Sequence, residues 1–223
     1  MLNHNLETGP MKINEIFQSI NGEVTAWHQG SLTTFIRFSK CNLSCSYCDA
    51  KYADKVNYDL SSDDLLDILT GIDCHQITFT GGEPTLQDEF EDIVKWFAGT
   101  DAFKITIETN GTYEIFPDKN ISWVIDYKFN YASQMVTENF DLMTNNDWLK
   151  FVIDHPDDLD QMVRLFHLFP SLKLLNIAVG TTGKVSHAEI VDFLIHNKLY
   201  NCILNFQIHK EIWKIRKEGR KIL

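Results

Sequence analysis

The sequence predicts an α/β fold, an open and incomplete (β/α) barrel of six or seven mainly parallel strands with a reduced set of helices. Short apolar runs alternate with amphipathic stretches, which is the element order of a parallel α/β sheet. Several runs are apolar on both faces, as in strands covered on each side. About a dozen residues join the third and fourth predicted strands, and residues 129–147 show no clean period, so two crossovers lack full helices.

Each predicted element follows from a local pattern. The strands are runs rich in β-branched and aromatic residues, and they cover residues 33–39, 76–80, 103–108, 122–128, 148–153, 172–179 and 202–208. The helices repeat apolar residues at helical spacing, and they cover residues 61–70, 88–98, 156–169 and 186–200. Because 44% of the 223 residues are hydrophobic, the chain can bury one large core, and we expect a single domain over residues 1–223.

Composition excludes some classes of function. The net charge of −11 argues against broad nucleic-acid binding, which needs a cationic surface. The exception is a basic C-terminal segment, residues 209–223, for which a solvated helix face is the simpler interpretation and docking of an acidic electron donor the alternative. No apolar run approaches the ~20 residues that span a bilayer, and the N-terminus lacks the apolar middle of a signal peptide. We therefore expect a cytoplasmic protein with no membrane partner.

Three of the five cysteines lie in the stretch CNLSCSYCDA. Cys41, Cys45 and Cys48 follow the first predicted strand with Cys-x3-Cys-x2-Cys spacing, at the carboxyl end where α/β barrels carry their chemistry. Because reducing conditions disfavour disulfides, these thiols are expected to bind metal or react. Structural zinc is one alternative, but it needs a fourth ligand, and His28 lies too far upstream. Three thiolates around a four-iron cluster would leave one iron open to a small molecule.

A second motif, TFTGGEP at residues 78–84, ends the second predicted strand. Its paired glycines permit close backbone approach by a ligand, and Glu83 offers a carboxylate to an amino group. Together with the cysteine spacing, this motif resembles the radical S-adenosylmethionine (SAM) superfamily. The resemblance implies a [4Fe-4S] cluster held by the three cysteines, SAM chelated by its open iron, and a 5'-deoxyadenosyl radical that abstracts a substrate hydrogen. Cys74 and Cys202 stand alone and are expected to be buried apolar residues.

Further stretches are similar to the 7-carboxy-7-deazaguanine synthase family. They are NEIFQSINGE at residues 14–23, FIR at 35–37, ETNG at 108–111 and QIHK at 207–210. The resemblance implies radical ring contraction of 6-carboxy-5,6,7,8-tetrahydropterin to 7-carboxy-7-deazaguanine, with loss of ammonia, in the queuosine and 7-deazapurine pathway. It also implies magnesium, a flavodoxin- or ferredoxin-type reductant and a homodimer, with residues 1–30 contributing to the substrate site.

The same resemblance implies the site residues by matching motif. The implied cofactor contacts are Tyr47, Cys48, Asp49, Gly81, Gly82, Glu83, Glu108, Asp126, Tyr127 and Lys128. The implied substrate contacts are Ile20, Asn21, Gly22, Glu23, Arg37, Thr80, Gln207 and His209. Arg37 suits a bidentate grip on a substrate carboxylate, with a structural ion pair as the alternative. A single histidine such as His209 is more often structural than a proton carrier.

The chain departs from the family pattern at several positions. The usual Gln-Gly-Glu-Gly is Asn-Gly-Glu-Val at residues 21–24, the usual Ser-Pro-Lys is Asp-Tyr-Lys at 126–128, and no Gln-Pro follows the late strand in residues 176–183. The family's magnesium-binding threonine is Ala50 here. Because a methyl group cannot ligate a cation, we expect a weak magnesium requirement, with water or Asp49 in place of the hydroxyl.

Two rival functions remain open on the sequence alone. A glycyl-radical activase would use the same cysteine spacing and deliver its radical to a partner protein, but such enzymes do not require the FIR or QIHK stretches. A non-catalytic zinc or iron-sulfur interaction module is the other alternative, and it would produce no 5'-deoxyadenosine.

Overall fold

The computed structural model describes residues 10–212, which form a nine-stranded sheet. Its strands are β1 (Met11–Ile20), β2 (Leu32–Phe38), β3 (Tyr58–Leu60), β4 (Gln76–Gly81), β5 (Lys104–Thr109), β6 (Ile121–Tyr127), β7 (Trp148–Ile153), β8 (Asn176–Thr181) and β9 (Cys202–Leu204). Its α-helices are α1 (Ser62–Thr70), α2 (Phe90–Gly99), α3 (Asn139–Leu142), α4 (Pro156–Leu168), α5 (His187–His196) and α6 (Ile208–Ile212).

The sheet is open and mainly parallel, as predicted. Its strand order is β3-β1-β2-β4-β5-β6-β7-β8-β9, and every pair from β2 to β9 is parallel. The two strands that the sequence pattern missed, β1 and β3, form an antiparallel addition at one edge. β1 was missed because a bulge between Ile13 and Glu15 interrupts its alternation, and β3 has only three residues.

The reduced helix complement is confirmed at both crossovers that the sequence singled out. No helix lies between β5 and β6 in the described chain, and only a 3-10 turn at Phe129–Gln134 and the single-turn α3 lie between β6 and β7. Two predicted strand boundaries were wrong. Pro170 opens a 3-10 helix through Leu174, so β8 starts later than predicted, and β9 ends at Leu204 before α6 begins.

The helices cover one face of the sheet and leave the other, the inner face, for the site. The core between helices and sheet includes Leu65 of α1, Phe97 of α2, Met162 of α4 and Ile190 of α5. Alternate residues of the parallel strands face inward, and several of them are threonines, carboxylates or lysines instead of apolar residues. No helix in the part of the chain that the structure describes is long and apolar enough to cross a membrane.

The loop from Asn21 to Ser31, between β1 and β2, lies across the amino ends of the strands on the inner face. Thr25 shares a 2.7 Å hydrogen bond with Thr106 of β5, and the Trp27 indole donates to the Ile105 carbonyl at 2.8 Å. The loop thereby forms the floor of the barrel. Its own residue Glu23 faces the cavity on the inner side of the sheet.

Candidate active site

A cavity of about 1080 Å³ opens on the inner face at the carboxyl ends of the parallel strands. Its wall includes the loop that carries the three clustered cysteines, the end of β4 and the segment before α6. Sixteen of the eighteen residues assigned above to cofactor or substrate, together with the Ala50 position, line it: Ile20, Gly22, Glu23, Arg37, Tyr47, Cys48, Asp49, Thr80, Gly81, Gly82, Glu83, Glu108, Asp126, Lys128, Gln207 and His209.

Cys41, Cys45 and Cys48 all line this cavity as free thiols. The Cys41 sulfur accepts N–H groups from Leu43 at 3.4 Å and Asn110 at 3.7 Å. Burial raises the pKa of Cys41 and of Cys45. In the described chain no three His, Cys, Asp or Glu side chains converge on a single ion position. Three soft thiol donors on one loop nevertheless suit the irons of a [4Fe-4S] cluster, whose positive charge would favour the thiolates.

The paired glycines allow two backbone segments of this chain to pack closely together. The sequence predicted only that they allow a ligand to approach the backbone. A Cβ on Gly81, whose φ is +148°, would meet the Phe38 carbonyl oxygen at 2.4 Å, and one on Gly82 would meet the Lys40 carbonyl oxygen at 1.7 Å. The Gly82 N–H donates to the Phe38 carbonyl at 2.9 Å. The two glycines therefore let the end of β4 lie directly against the start of the cysteine loop.

Glu83 is fully buried and links β4 to the segment after β5. Its carboxylate accepts the Asn110 N–H at 2.7 Å and the hydroxyls of Thr85 and Thr109, each at 2.7 Å. Burial raises the pKa of Glu83, and these donors oppose that shift. Glu83 therefore positions Asn110, whose side chain in turn contacts Cys41.

A network of buried charges forms the floor of the cavity. Lys150 of β7 contacts Glu23, and its ammonium lies 3.1 Å from Asp126 Oδ2. Lys128 lies 2.8 Å from the same Asp126 oxygen, while Gln207 donates to the other oxygen of Glu23. The Asp126 Oδ1 atom is buried without a hydrogen-bond partner in the described residues.

A second group surrounds Arg37 of β2. Its Nε donates to Glu15 Oε1 at 2.8 Å, and the guanidinium lies between the rings of Phe17 and Tyr52, at 5.9 and 5.6 Å from their centroids. The Tyr52 hydroxyl donates to the same Glu15 oxygen at 3.1 Å. The ion-pair alternative for Arg37 is therefore present, and the pair holds the guanidinium at the cavity wall.

Two of the assigned residues point away from the cavity. Asn21 bonds to Ser31 and accepts the Thr78 hydroxyl at 2.8 Å, so its side chain secures the floor loop. Tyr127 packs on the helix side of the sheet against Phe151, at 5.6 Å between ring centroids. Tyr127 faces outward because neighbouring residues of a strand alternate faces, whereas Asp126 and Lys128 face the cavity.

The remaining predicted positions lie at the periphery. Ala50 lines the cavity beside Asp49, whose carboxylate lies 3.1 Å from the ammonium of Lys210. Burial opposes ionisation of Asp49, but Lys210 lowers its pKa on balance. Cys74 and Cys202, which were expected to be buried, are half-buried and do not line the cavity, and burial raises the pKa of Cys202 to about 12. Of the basic segment, residues 213–223 lie outside the described chain.

Sequence reasoning missed Lys150, Glu15 and Asn110. The signal for Lys150 is a single lysine within the apolar run WLKFVI. A lysine at the centre of a buried strand is unusual unless it is paired. Glu15 and Asn110 lie within the quoted stretches NEIFQSINGE and ETNG, but the motifs gave neither of them a role, since their partners come from distant segments.

Comparisons with known proteins identify the family of this chain. Residues 35–164 match the family model of the radical SAM superfamily. The 7-carboxy-7-deazaguanine synthase of Clostridium acetobutylicum is 36% identical, covering 93% of this chain and 98% of that protein. The synthase of Thermoplasma acidophilum is 37% identical over 67% of this chain and 73% of that protein. The crystal structure of QueE from Escherichia coli shares the fold, with a TM-score of 0.66 at 22% identity, covering 88% of this chain and 93% of that one.

The fold, the cysteine loop at the cavity and the family-model match define a radical SAM enzyme, a class whose cofactors are a [4Fe-4S] cluster and SAM. Because the identity to the clostridial protein extends along nearly the whole of both chains, this chain belongs to the 7-carboxy-7-deazaguanine synthase family. These relatives favour the synthase interpretation over a glycyl-radical activase.

Proposed function

We propose that this chain converts 6-carboxy-5,6,7,8-tetrahydropterin to 7-carboxy-7-deazaguanine. The observation that carries the proposal is a single cavity with the three clustered cysteines and Gly82 in one part of its wall and Glu23, Arg37 and Gln207 in another. Relatives with this family's name match along nearly the full chain, which supports the same overall reaction.

Cys41, Cys45 and Cys48 would hold the cluster, and the turn at residues 81–83 would lie beside SAM. Together these cofactors, when bound, supply a 5'-deoxyadenosyl radical that abstracts hydrogen. The protein contributes placement. Asn110 donates to the Cys41 sulfur, and the backbone contact at Gly82 holds the start of the cysteine loop.

The substrate part of the cavity combines acceptors with one positioned guanidinium. The fused ring of the pterin carries N–H donors on its pyrimidine side, which an ionised Glu23 would accept, and its carboxylate would meet Arg37. Glu108 accepts the Thr80 hydroxyl at 2.6 Å, and burial, together with the charge of Glu23, raises its pKa.

The proposal also covers the magnesium ion, the protein partners and the cellular location. The Ala50 position supplies no side-chain oxygen, so the ion would be held mainly by substrate and water, with Asp49 nearby. We propose a flavodoxin- or ferredoxin-type reductant, a homodimer and a cytoplasmic location by analogy with the family. Asp49, next to Ala50, forms an ion pair with Lys210. This pair connects the proposed magnesium position with the basic C-terminal segment, which begins at His209.

The test is direct product identification. Protein reconstituted anaerobically with iron and sulfide is reduced and incubated with SAM and 6-carboxy-5,6,7,8-tetrahydropterin. Mass spectrometry should detect 7-carboxy-7-deazaguanine, and the Cys45→Ala variant, handled identically, should give none. A wild-type protein that cleaves SAM but yields no such product would contradict the proposed substrate, and one that never forms 5'-deoxyadenosine would contradict radical chemistry.

A further inference from the structure

Lys150 is a buried cation at the floor of the cavity, and none of the sequence motifs includes it. Its side chain is 8% exposed. Its ammonium contacts Glu23, from the floor loop, and Asp126, from β6. Lys150 and Asp126 are direct neighbours in the parallel ladder, and Ala178 is the Lys150 neighbour on the other side. The small Ala178 leaves the lysine chain room to extend toward the cavity.

The charges around Lys150 depend on one another. Burial disfavours the ammonium, yet Asp126, Glu23 and Glu108 keep the pKa of Lys150 well above its ordinary value. Burial would likewise raise the pKa of Glu23, but the charge and hydrogen bond of Lys150, with smaller contributions from Gln207 and His209, lower it to about 2. A buried ion is costly without its partner. Removing Lys150 would therefore raise the pKa of Glu23 and favour its protonated form.

We propose that Lys150 is a positioning residue for the substrate, which holds Glu23 ionised and oriented as an acceptor for the N–H groups of the pterin ring. This inference rests on the proposed function. A neutral Glu23 would present an O–H donor to ring donors, so the fit would be lost even though the side chain stayed in place. Among the described residues, the charged or titratable groups that face this network include Asp126, Glu108, Lys128, His209, Arg37, Asp49, Tyr47 and Cys45.

The experiment compares wild type, Lys150→Met and Lys150→Arg in the product assay from pH 6 to 9, with Lys12→Met as the surface control. Lys150→Met should raise the KM for the pterin about tenfold or more at pH 7, the usual scale for a lost charge-assisted contact. Its kcat/KM should rise with pH, because Glu23 with a raised pKa ionises only at higher pH. Lys150→Arg should keep the cation and restore most of the wild-type KM.

Several outcomes overturn the inference. A folded Lys150→Met protein with the KM and pH profile of wild type would do so, as would a variant that loses only thermal stability. If Lys150→Met does not fold, Glu23→Gln is compared with the double variant Glu23→Gln/Lys150→Met. The double variant removes both the carboxylate and the ammonium, so neither charge is left without the other. Equal KM values in these two proteins support action through Glu23, whereas a further large rise in the double variant contradicts it. Failure of the wild type to make product would instead refute the proposed function.

Discussion

Replacing Gly82 with alanine should weaken the cluster site without changing any cysteine. The new Cβ would lie 1.7 Å from the Lys40 carbonyl oxygen and 3.0 Å from the Cys41 nitrogen. Ordinary van der Waals contact begins at 3.4 Å, so the backbone at Lys40 must move away by about 1.7 Å. Functional constellations tolerate errors of only ~0.5 Å, and a displaced Cys41 would fall outside that tolerance.

The same movement has a cost in folding free energy. It disrupts the hydrogen bonds from the Gly82 N–H to Phe38 and from the Glu83 N–H to Lys40, which measure 2.9 and 2.8 Å. Each such bond contributes about 1 kcal/mol, and overpacking adds roughly 1 to 3 kcal/mol. The free energy of unfolding should therefore fall by about 3 to 5 kcal/mol before any iron is added.

The assay is iron and sulfide content after anaerobic reconstitution, together with the charge-transfer absorbance of the cluster and thermal unfolding of the apoprotein. Gly99→Ala is the matched control, because a Cβ on Gly99 meets nothing within 4 Å. We expect Gly82→Ala to retain less than about half of the wild-type iron and Gly99→Ala to retain all of it. A Gly82→Ala protein with wild-type iron content and stability would refute this steric reasoning.

Three further predictions concern the same cavity. Cys45→Ala should lose the cluster absorbance and 5'-deoxyadenosine formation, whereas Cys202→Ala should keep both; normal SAM cleavage by Cys45→Ala would exclude the cluster assignment. Arg37→Ala should weaken substrate use about ten- to a hundredfold, corresponding to roughly 1.5 to 3 kcal/mol for a charge-assisted contact, and unchanged steady-state kinetics in a folded variant would contradict the carboxylate role. Ala50→Thr should lower the magnesium concentration needed for half-maximal rate after chelator treatment, because it adds a hydroxyl ligand; an identical, tight dependence in both proteins would argue against it.

Local patterns were sufficient to predict most of the sheet. The parallel strands are short apolar runs with a clear limit at each end, and β7 matches its predicted bounds, Trp148–Ile153. β1 escaped prediction because its burial follows a bulged register with β2 instead of strict alternation. The late boundaries depended on Pro170, whose fixed φ favours the start of a helical turn over continuation of a strand.

The site was predictable where its chemistry is encoded in close spacing. Cys41, Cys45 and Cys48 lie within one loop, so their pattern is visible without the fold. The charge network is different, because Glu23 and Lys150 are 127 residues apart in sequence, and no local pattern pairs them. The outward position of Tyr127 also required the strand register, since a motif match assigns three consecutive residues without distinguishing the two faces of a strand.

The contact between the floor loop and the segment before α6 has a consequence for biosynthesis. Glu23 and Gln207 are 184 residues apart, and the Ile208 N–H donates to the Gly22 carbonyl at 3.1 Å. A ribosome produces the cysteine loop long before it produces Gln207, so the nascent chain displays its thiols while the cavity still lacks one wall. The catalytic chamber is therefore completed only after Gln207 has been synthesised, and iron delivered earlier would meet an unfinished, solvent-open loop.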